Sequence, residues 1–259
     1  MKSWRAPILC SIVFCLTAAL AGAQTMTPIK SASSPDKTQS LDAPATTAPV
    51  APTNLQALAV ATDSIVLVWQ DNSNNESGFR VEGKAGSGTF TELGVTGPNV
   101  VGVFVGNLTA GASYTFRVRA TNDVGNSAYS NEASAITLTS DTPCTGTATS
   151  MCLNNNRFRV QALFLTGGGQ SGQAQTVKLT DDSGYLWFFS ATNIEAVVKV
   201  LNGCGVNNRY WVFAGGLTDV RVVLTVTDTQ TGEAAVYINP QGRAFQPIQD
   251  TSALMSCPQ

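Results

Sequence analysis

Residues 108–131 alternate with a period of two. Tyr114, Phe116, Val118 and Ala120 fall on one side of an extended segment, and Thr115, Arg117, Arg119 and Thr121 fall on the other. That pattern marks a strand with one face in a core and one in water. Shorter runs of the same kind precede and follow it. Ile65, Leu67 and Trp69 alternate on one, Phe79 and Val81 on the next, and residues 89–93, 100–105 and 132–137 supply more, each bounded by turn residues. Such a series of short strands within about 90 residues predicts two antiparallel sheets packed face to face.

The resemblance is to the immunoglobulin-like sandwich of fibronectin type III domains. Pro52, Leu55, Trp69, Phe79, Leu108, Tyr114 and Asn122 stand in that family's order. Trp69 matches its buried tryptophan. Tyr114 matches its tyrosine corner, whose hydroxyl is expected to bond back to the backbone near Leu108. The resemblance covers residues 51–139 and implies a spacer or adhesive unit of an exported bacterial protein. The integrin-binding Arg-Gly-Asp tripeptide of some members is absent; the corresponding loop starts at Asn122-Asp123-Val124.

The N-terminus predicts export. Lys2 and Arg5 precede an apolar run over residues 8–20, which ends in Ala21-Gly22-Ala23. This is the layout of a secretory signal over residues 1–23, with an uncleaved anchor as the alternative. No later apolar run is long enough to span a membrane. Removing Lys2 and Arg5 leaves 13 basic against 17 acidic residues, a net charge of −4. Without a clustered basic surface, nucleic-acid binding is set aside. Residues 24–50, rich in Thr, Pro, Ala and Ser, are expected to be disordered. Residues 140–151 read as a second linker.

Residues 152–259 show no helical period and predict a second all-β sandwich. Phe158, Val160, Ala162 and Phe164 alternate, and residues 220–227 and 234–238 flank a turn, as in a hairpin. The segments around Cys152, Leu201-Asn202-Gly203-Cys204, Tyr210-Trp211-Val212-Phe213 and Asn239-Pro240-Gln241-Gly242 resemble a cysteine-bearing module of secreted bacterial proteins that has no settled function.

Four cysteines lie beyond the signal, which in an exported chain reads as two disulfides with three formal connectivities. Cys152 opens the first strand and Cys204 precedes another, while Cys144 and Cys257 bracket the domain. The expected pairs are therefore Cys152–Cys204 and Cys144–Cys257.

Chemistry is constrained by what is missing. The chain has no histidine, which removes the Ser-His-Asp triad and histidine metal sites. The loop Asp71-Asn72-Ser73-Asn74-Asn75-Glu76 is rich in oxygen ligands. It has Glu76 where a calcium loop of the EF-hand type needs glycine, so it reads as a turn. Asp181 and Asp182 are adjacent in a turn-like Asp-Asp-Ser-Gly and need not converge as a glycosidase pair does. A non-catalytic protein without cofactor or metal is expected, binding other proteins or the cell envelope, or serving as a spacer.

The aromatics of the second domain read first as core. The alternative is a carbohydrate-binding accessory protein that stacks sugars on Trp187, Tyr210 and Trp211.

Overall fold

The computed structural model describes residues 24–29, 45–139, 143–255 and 257. The expected signal over residues 1–23 lies outside them. Two β-sandwiches follow one another along the chain. The first is built from β1 (Thr25–Pro28), β2 (Thr53–Ala59), β3 (Ile65–Gln70), β4 (Gly78–Ala85), β5 (Thr91–Val95), β6 (Gly102–Gly106), β7 (Ser113–Asn122), β8 (Gly125–Asn126) and β9 (Ala133–Ile136). One sheet runs β1-β6-β3-β2 and the other β5-β4-β7, with β8 and β9 both pairing β7. Trp69 is fully buried between them and packs tilted on Phe79 at 5.5 Å. The Tyr114 hydroxyl accepts the Thr109 N–H at 2.9 Å and fixes the loop that enters β7.

Part of the segment expected to be disordered is ordered. Thr25–Pro28 forms the edge strand β1, antiparallel to β6, with Thr25 opposite Gly106 and Pro28 opposite Val103. Next to it, Ile29 donates its N–H to the Gly102 carbonyl at 3.1 Å and is buried in the core. The gain is tertiary: β6 would otherwise present unpaired backbone groups at the sheet edge.

The second sandwich contains β10 (Met151–Leu153), β11 (Phe158–Leu165), β12 (Ser171–Gln173), β13 (Gln175–Lys178), β14 (Ser183–Trp187), β15 (Ala196–Asn202), the short helix α1 (Cys204–Asn207), β16 (Tyr210–Gly216), β17 (Arg221–Asp228), β18 (Ala234–Asn239) and β19 (Ile248–Leu254). Its inner sheet is β10-β11-β17-β18, with β12 also pairing β11, and its outer sheet is β13-β14-β15-β16-β19. Phe158, Val160, Leu186, Val200, Val212, Leu224 and Val226 fill the space between them. Arg157 ties the rim together. Its Nη2 meets the fully buried Asp228 at 2.8 Å, and its guanidinium lies 4.9 Å from the Tyr210 ring centre. Burial alone would lower Arg157, but the hydrogen bond and charge of Asp228, helped by Tyr210, hold it above the ordinary arginine value.

The disulfides differ from expectation. Cys144 bonds Cys152, and Cys204 bonds Cys257; the predicted Cys152–Cys204 and Cys144–Cys257 pairs do not form. Two features of the backbone explain this. A bridge between Thr147 and Ser150 doubles the chain back, which sets Cys144 beside Cys152. Pairing of Tyr210 with Leu254 brings the end of β19 to the turn that carries Cys204. The presumed linker thus begins the second module: Cys144 donates its N–H to the Asn156 carbonyl, and Ala148 accepts from Thr176.

The two sandwiches stack. In β3 not only Ile65, Leu67 and Trp69 but also Val66 and Val68 are buried, because the outer face of its sheet lies against the inner sheet of the second module. Leu163 and Val223 join the first module's core, with Ala234, Val236 and Ile238 packed against it. Hydrogen bonds cross the seam. Arg221 Nη1 donates to the Trp69 carbonyl at 2.8 Å, Thr227 Oγ1 to that of Val60 at 2.7 Å, and Gln56 Nε2 to that of Phe164 at 3.1 Å. Burial lowers Arg221 to about 10, with the charge of Asp71 opposing the shift. The result is four sheets in series.

Candidate contact face

Among the described residues nothing covers one large face of the second module, the outer side of β13-β14-β15-β16-β19. Strand pairing sets its rows. Val177, Tyr185, Val197 and Gly215 form one, and Ser183, Lys199, Phe213 and Gln249 the next. The alternate residues Leu186, Val198, Val200 and Val212 point into the core. Tyr185, Trp187, Trp211 and Phe213 are half-buried, whereas Val197 is 49% exposed. A shallow groove of about 400 Å3 crosses the middle, walled by Leu179, Val197 and Phe213 and edged by Ser183, Lys199 and Gln249. Its character is apolar with a polar border, as at protein contact sites and sugar-stacking surfaces.

The three predicted platform residues are not brought together. Tyr210 lies on the inner side, buried, with its ring 4.6 Å from that of Phe158. It is a core residue, which corrects the sugar-platform expectation for this position. Trp211 is on the outer face but committed. Its indole N–H donates to Asn207 Oδ1 at 2.8 Å, and its ring crosses Gly203 so closely that a Cβ there would stand 2.2 Å from Nε1. It clamps the turn bearing Cys204. Trp187 sits at the far end, opposite Gln175. Following the pairing across to β16, its row meets that strand six residues from Trp211, roughly 20 Å along the strand direction. The expectation of core on both sides also fails for Tyr185 and Trp187. Their strand is covered on one side only.

Sequence reasoning missed that Tyr185 and Phe213 form the centre of the face. The signal was available, since each is two residues from a tryptophan that was singled out. Phe189 turns off the face, packing edge-on against Phe164 at 5.4 Å and Phe188 at 5.9 Å.

Other candidate polar residues serve local turns. Asp181 bonds Lys178 at 2.8 Å and accepts the Asn155 N–H at 3.0 Å, while Asp182 accepts from Thr180 at 2.6 Å. These carboxylates cap turns. The hydrogen bond from Lys178 lowers Asp181; burial opposes it, and the Asn155 N–H and the lysine charge add to the lowering. In the loop at Asp71, Oδ1 accepts the Ser73 N–H and Glu76 Oε1 accepts that of Asn99, the geometry of a closed turn. Among the described residues no three His, Cys, Asp or Glu side chains gather to hold a metal.

On the outer face of the first module, Glu82 receives Arg117 at 2.6 Å, Arg119 at 3.2 Å and the Tyr129 hydroxyl at 2.6 Å. Arg117 stacks 3.8 Å from the Tyr129 ring centre and 4.1 Å from that of Phe90. Burial alone would raise Glu82. The hydrogen bonds from Tyr129 and Arg117, with the charges of Arg117 and Arg119, outweigh it and hold the carboxyl below the usual range.

Residues 50–136 match the fibronectin type III domain model. Over 126 residues the chain is 32% identical to exoglucanase B of Cellulomonas fimi, covering 45% of this chain and 10% of that protein. Over 100 residues it is 39% identical to chitinase A1 of Niallia circulans, covering 38% of this chain and 13% of that protein. The chain thus spans about a tenth of the length of these curated relatives. Among solved structures, titin domains align with 28% identity and a TM-score of 0.33, over 35% of this chain and 32% of theirs. A β-1,2-glucanase from Parabacteroides distasonis aligns with 22% identity and a TM-score of 0.33, over 38% of this chain and 14% of that one. The chain contains a fibronectin type III domain, and the likeness to the two enzymes does not extend to the greater part of either.

Proposed function

We propose that the chain is an exported, non-catalytic binding protein in which the fibronectin type III module is a rigid mount and the outer sheet of the second module is the contact surface. The observation that carries this reading is the seam. It covers the facing sheets of both modules and leaves one apolar, aromatic sheet face of the second module open. The adjacent carboxylates Asp181 and Asp182 serve turns and an ion pair. Among the described residues no helix is long and apolar enough to cross a membrane.

A second reading makes the partner a polysaccharide. Tyr185, Trp187 and Phe213 offer ring faces beside hydrogen-bonding Ser183, Lys199 and Gln249, the combination that holds pyranose rings. The likeness to an exoglucanase and a chitinase supports that context by association alone.

Retention of the full chain on insoluble cellulose, on chitin and on isolated cell envelopes separates the readings, with the double variant Trp187→Ala/Phe213→Ala alongside. Retention on a glycan that falls by about tenfold or more in the variant, some 1.4 kcal/mol, makes the face a carbohydrate site. Retention on envelopes alone, lost in the same variant, supports contact with envelope proteins. Binding that the substitutions leave unchanged, or no binding to any of the three, overturns the contact face.

A further inference from the structure

A second concavity lies where the modules meet, and it is independent of the outer face. It is a cleft of about 420 Å3, within the range of small-molecule sites, which favour domain junctions. One wall is the side of β11 that faces the first module. Arg159 and Gln161 line it, and Leu163, next along the same side, is already part of the first module's core. Gln173 pairs with Leu163 and adds its amide from β12. The opposite side is contributed by the first module, where Ala57 and Ile136 are largely apolar neighbours, and Ser150 closes one end.

Two polar side chains at this cleft have no partner among the described residues. Ser150 is 5% exposed, and its buried Oγ makes no hydrogen bond. Arg159 makes no ion pair, hydrogen bond or ring contact among the described residues, whereas Arg157 pairs with Asp228 and Arg221 bonds the Trp69 carbonyl. Its neighbour across the ladder, Thr227, spends its hydroxyl on Val60. Burial alone lowers Arg159 from the ordinary arginine value, with no carboxylate to offset it. Partly desolvated cations and buried hydroxyls are ordinarily paired, so the arrangement is incomplete as it stands.

We infer that the cleft between the modules binds a small carboxylate of about sugar-acid size, with the Arg159 guanidinium as its anchor. A planar guanidinium takes a carboxylate through two parallel N–H···O bonds. The amides of Gln161 and Gln173 suit the remaining oxygens of a polyol, and Ala57 and Ile136 suit its apolar edge. Hexuronates and peptide C-termini both carry such a carboxylate, and the probes separate these sources.

The test is calorimetric titration of the full chain with galacturonate, with glucose as the neutral match and N-acetylalanine as the carboxylate without a sugar. Galacturonate is expected to bind with Kd on the order of 1 mM and glucose at least about tenfold more weakly. N-acetylalanine binding as well as galacturonate would support the carboxylate anchor and favour a peptide terminus; weaker binding would favour a sugar acid. Arg159→Gln should abolish the heat while leaving the melting temperature equal or higher, because no partner is lost. Gln173→Trp, at the exposed rim, should block the cleft without disturbing either core. Absent binding of both carboxylates, glucose binding as tightly as galacturonate, or titrations unchanged in Arg159→Gln would overturn the site.

Discussion

Removing the disulfides one pair at a time should cost unequal amounts, because the bridges close loops of very different length. Cys144–Cys152 spans 8 residues and Cys204–Cys257 spans 53. In the chain-entropy model, a cross-link removes 2.1 + 1.5R ln n cal/mol/K from the unfolded chain, which at room temperature is about 2.5 kcal/mol for the short loop and about 4 kcal/mol for the long one. The difference, near 1.7 kcal/mol, is more than a tenfold change in the folded-to-unfolded ratio. The variants are Cys144→Ala/Cys152→Ala and Cys204→Ala/Cys257→Ala, each compared with the parent by urea unfolding followed through tryptophan fluorescence. The alternative pairs, Cys152–Cys204 and Cys144–Cys257, would close loops of 52 and 113 residues. Each would then contribute about 4–5 kcal/mol, and each double variant would break both bridges at once. Equal losses from the two variants, or a proteolytic fragment linking Cys152 to Cys204, would refute the connectivity.

Glu82 should contribute to acid sensitivity. Its folded value lies below the ordinary 4.5, so its stabilisation is present above that value and lost as pH falls through the folded one. Glu82→Gln should therefore flatten the fall in urea midpoint between about pH 5 and pH 2, and an unchanged slope would remove Glu82 from the account. Ile29→Ala should destabilise the chain by about 2–3 kcal/mol, since the residue is in the core, and amide exchange should quicken at the β6 residues that pair with β1. A loss under about 0.5 kcal/mol would mean that β1 does not hold in solution. Val223→Asp places a carboxylate in the apolar seam at a cost of several kcal/mol. Calorimetry should show one parental transition split into two, and a single transition at the parental temperature would contradict the seam.

How much of this was legible in the sequence follows from how local each feature is. The period of two from Tyr114 to Ala120, and the Leu-Trp and Phe-Val alternations before it, report a strand's own two faces and so predict the first sandwich. The same rule places Tyr185 with Trp187 and Phe213 with Trp211. It also forbids Tyr210 and Trp211, as consecutive residues, from sharing a face, so grouping them as one platform conflicted with the strand period itself. The seam is announced more faintly, by the lack of alternation in Ile65-Val66-Leu67-Val68-Trp69 and in Val222-Val223-Leu224. Such runs say that both faces are covered without naming the cover. β1 and the disulfides were not legible. Thr25-Met26-Thr27-Pro28 has little strand character of its own and is held by the edge of β6. The cysteine pairs depend on the Thr147–Ser150 reversal and on which strand neighbours β16.

The two modules act as one body, because the seam both leaves the outer sheet as the open face and forms the cleft around Arg159. Backbone 15N relaxation on the full chain tests this most directly. Equal rotational correlation times for amides of β4 and β7 in the first module and β15 and β16 in the second are the result expected of stacked sheets. Shorter and unequal times, each matching an independent module of its own size, would contradict it.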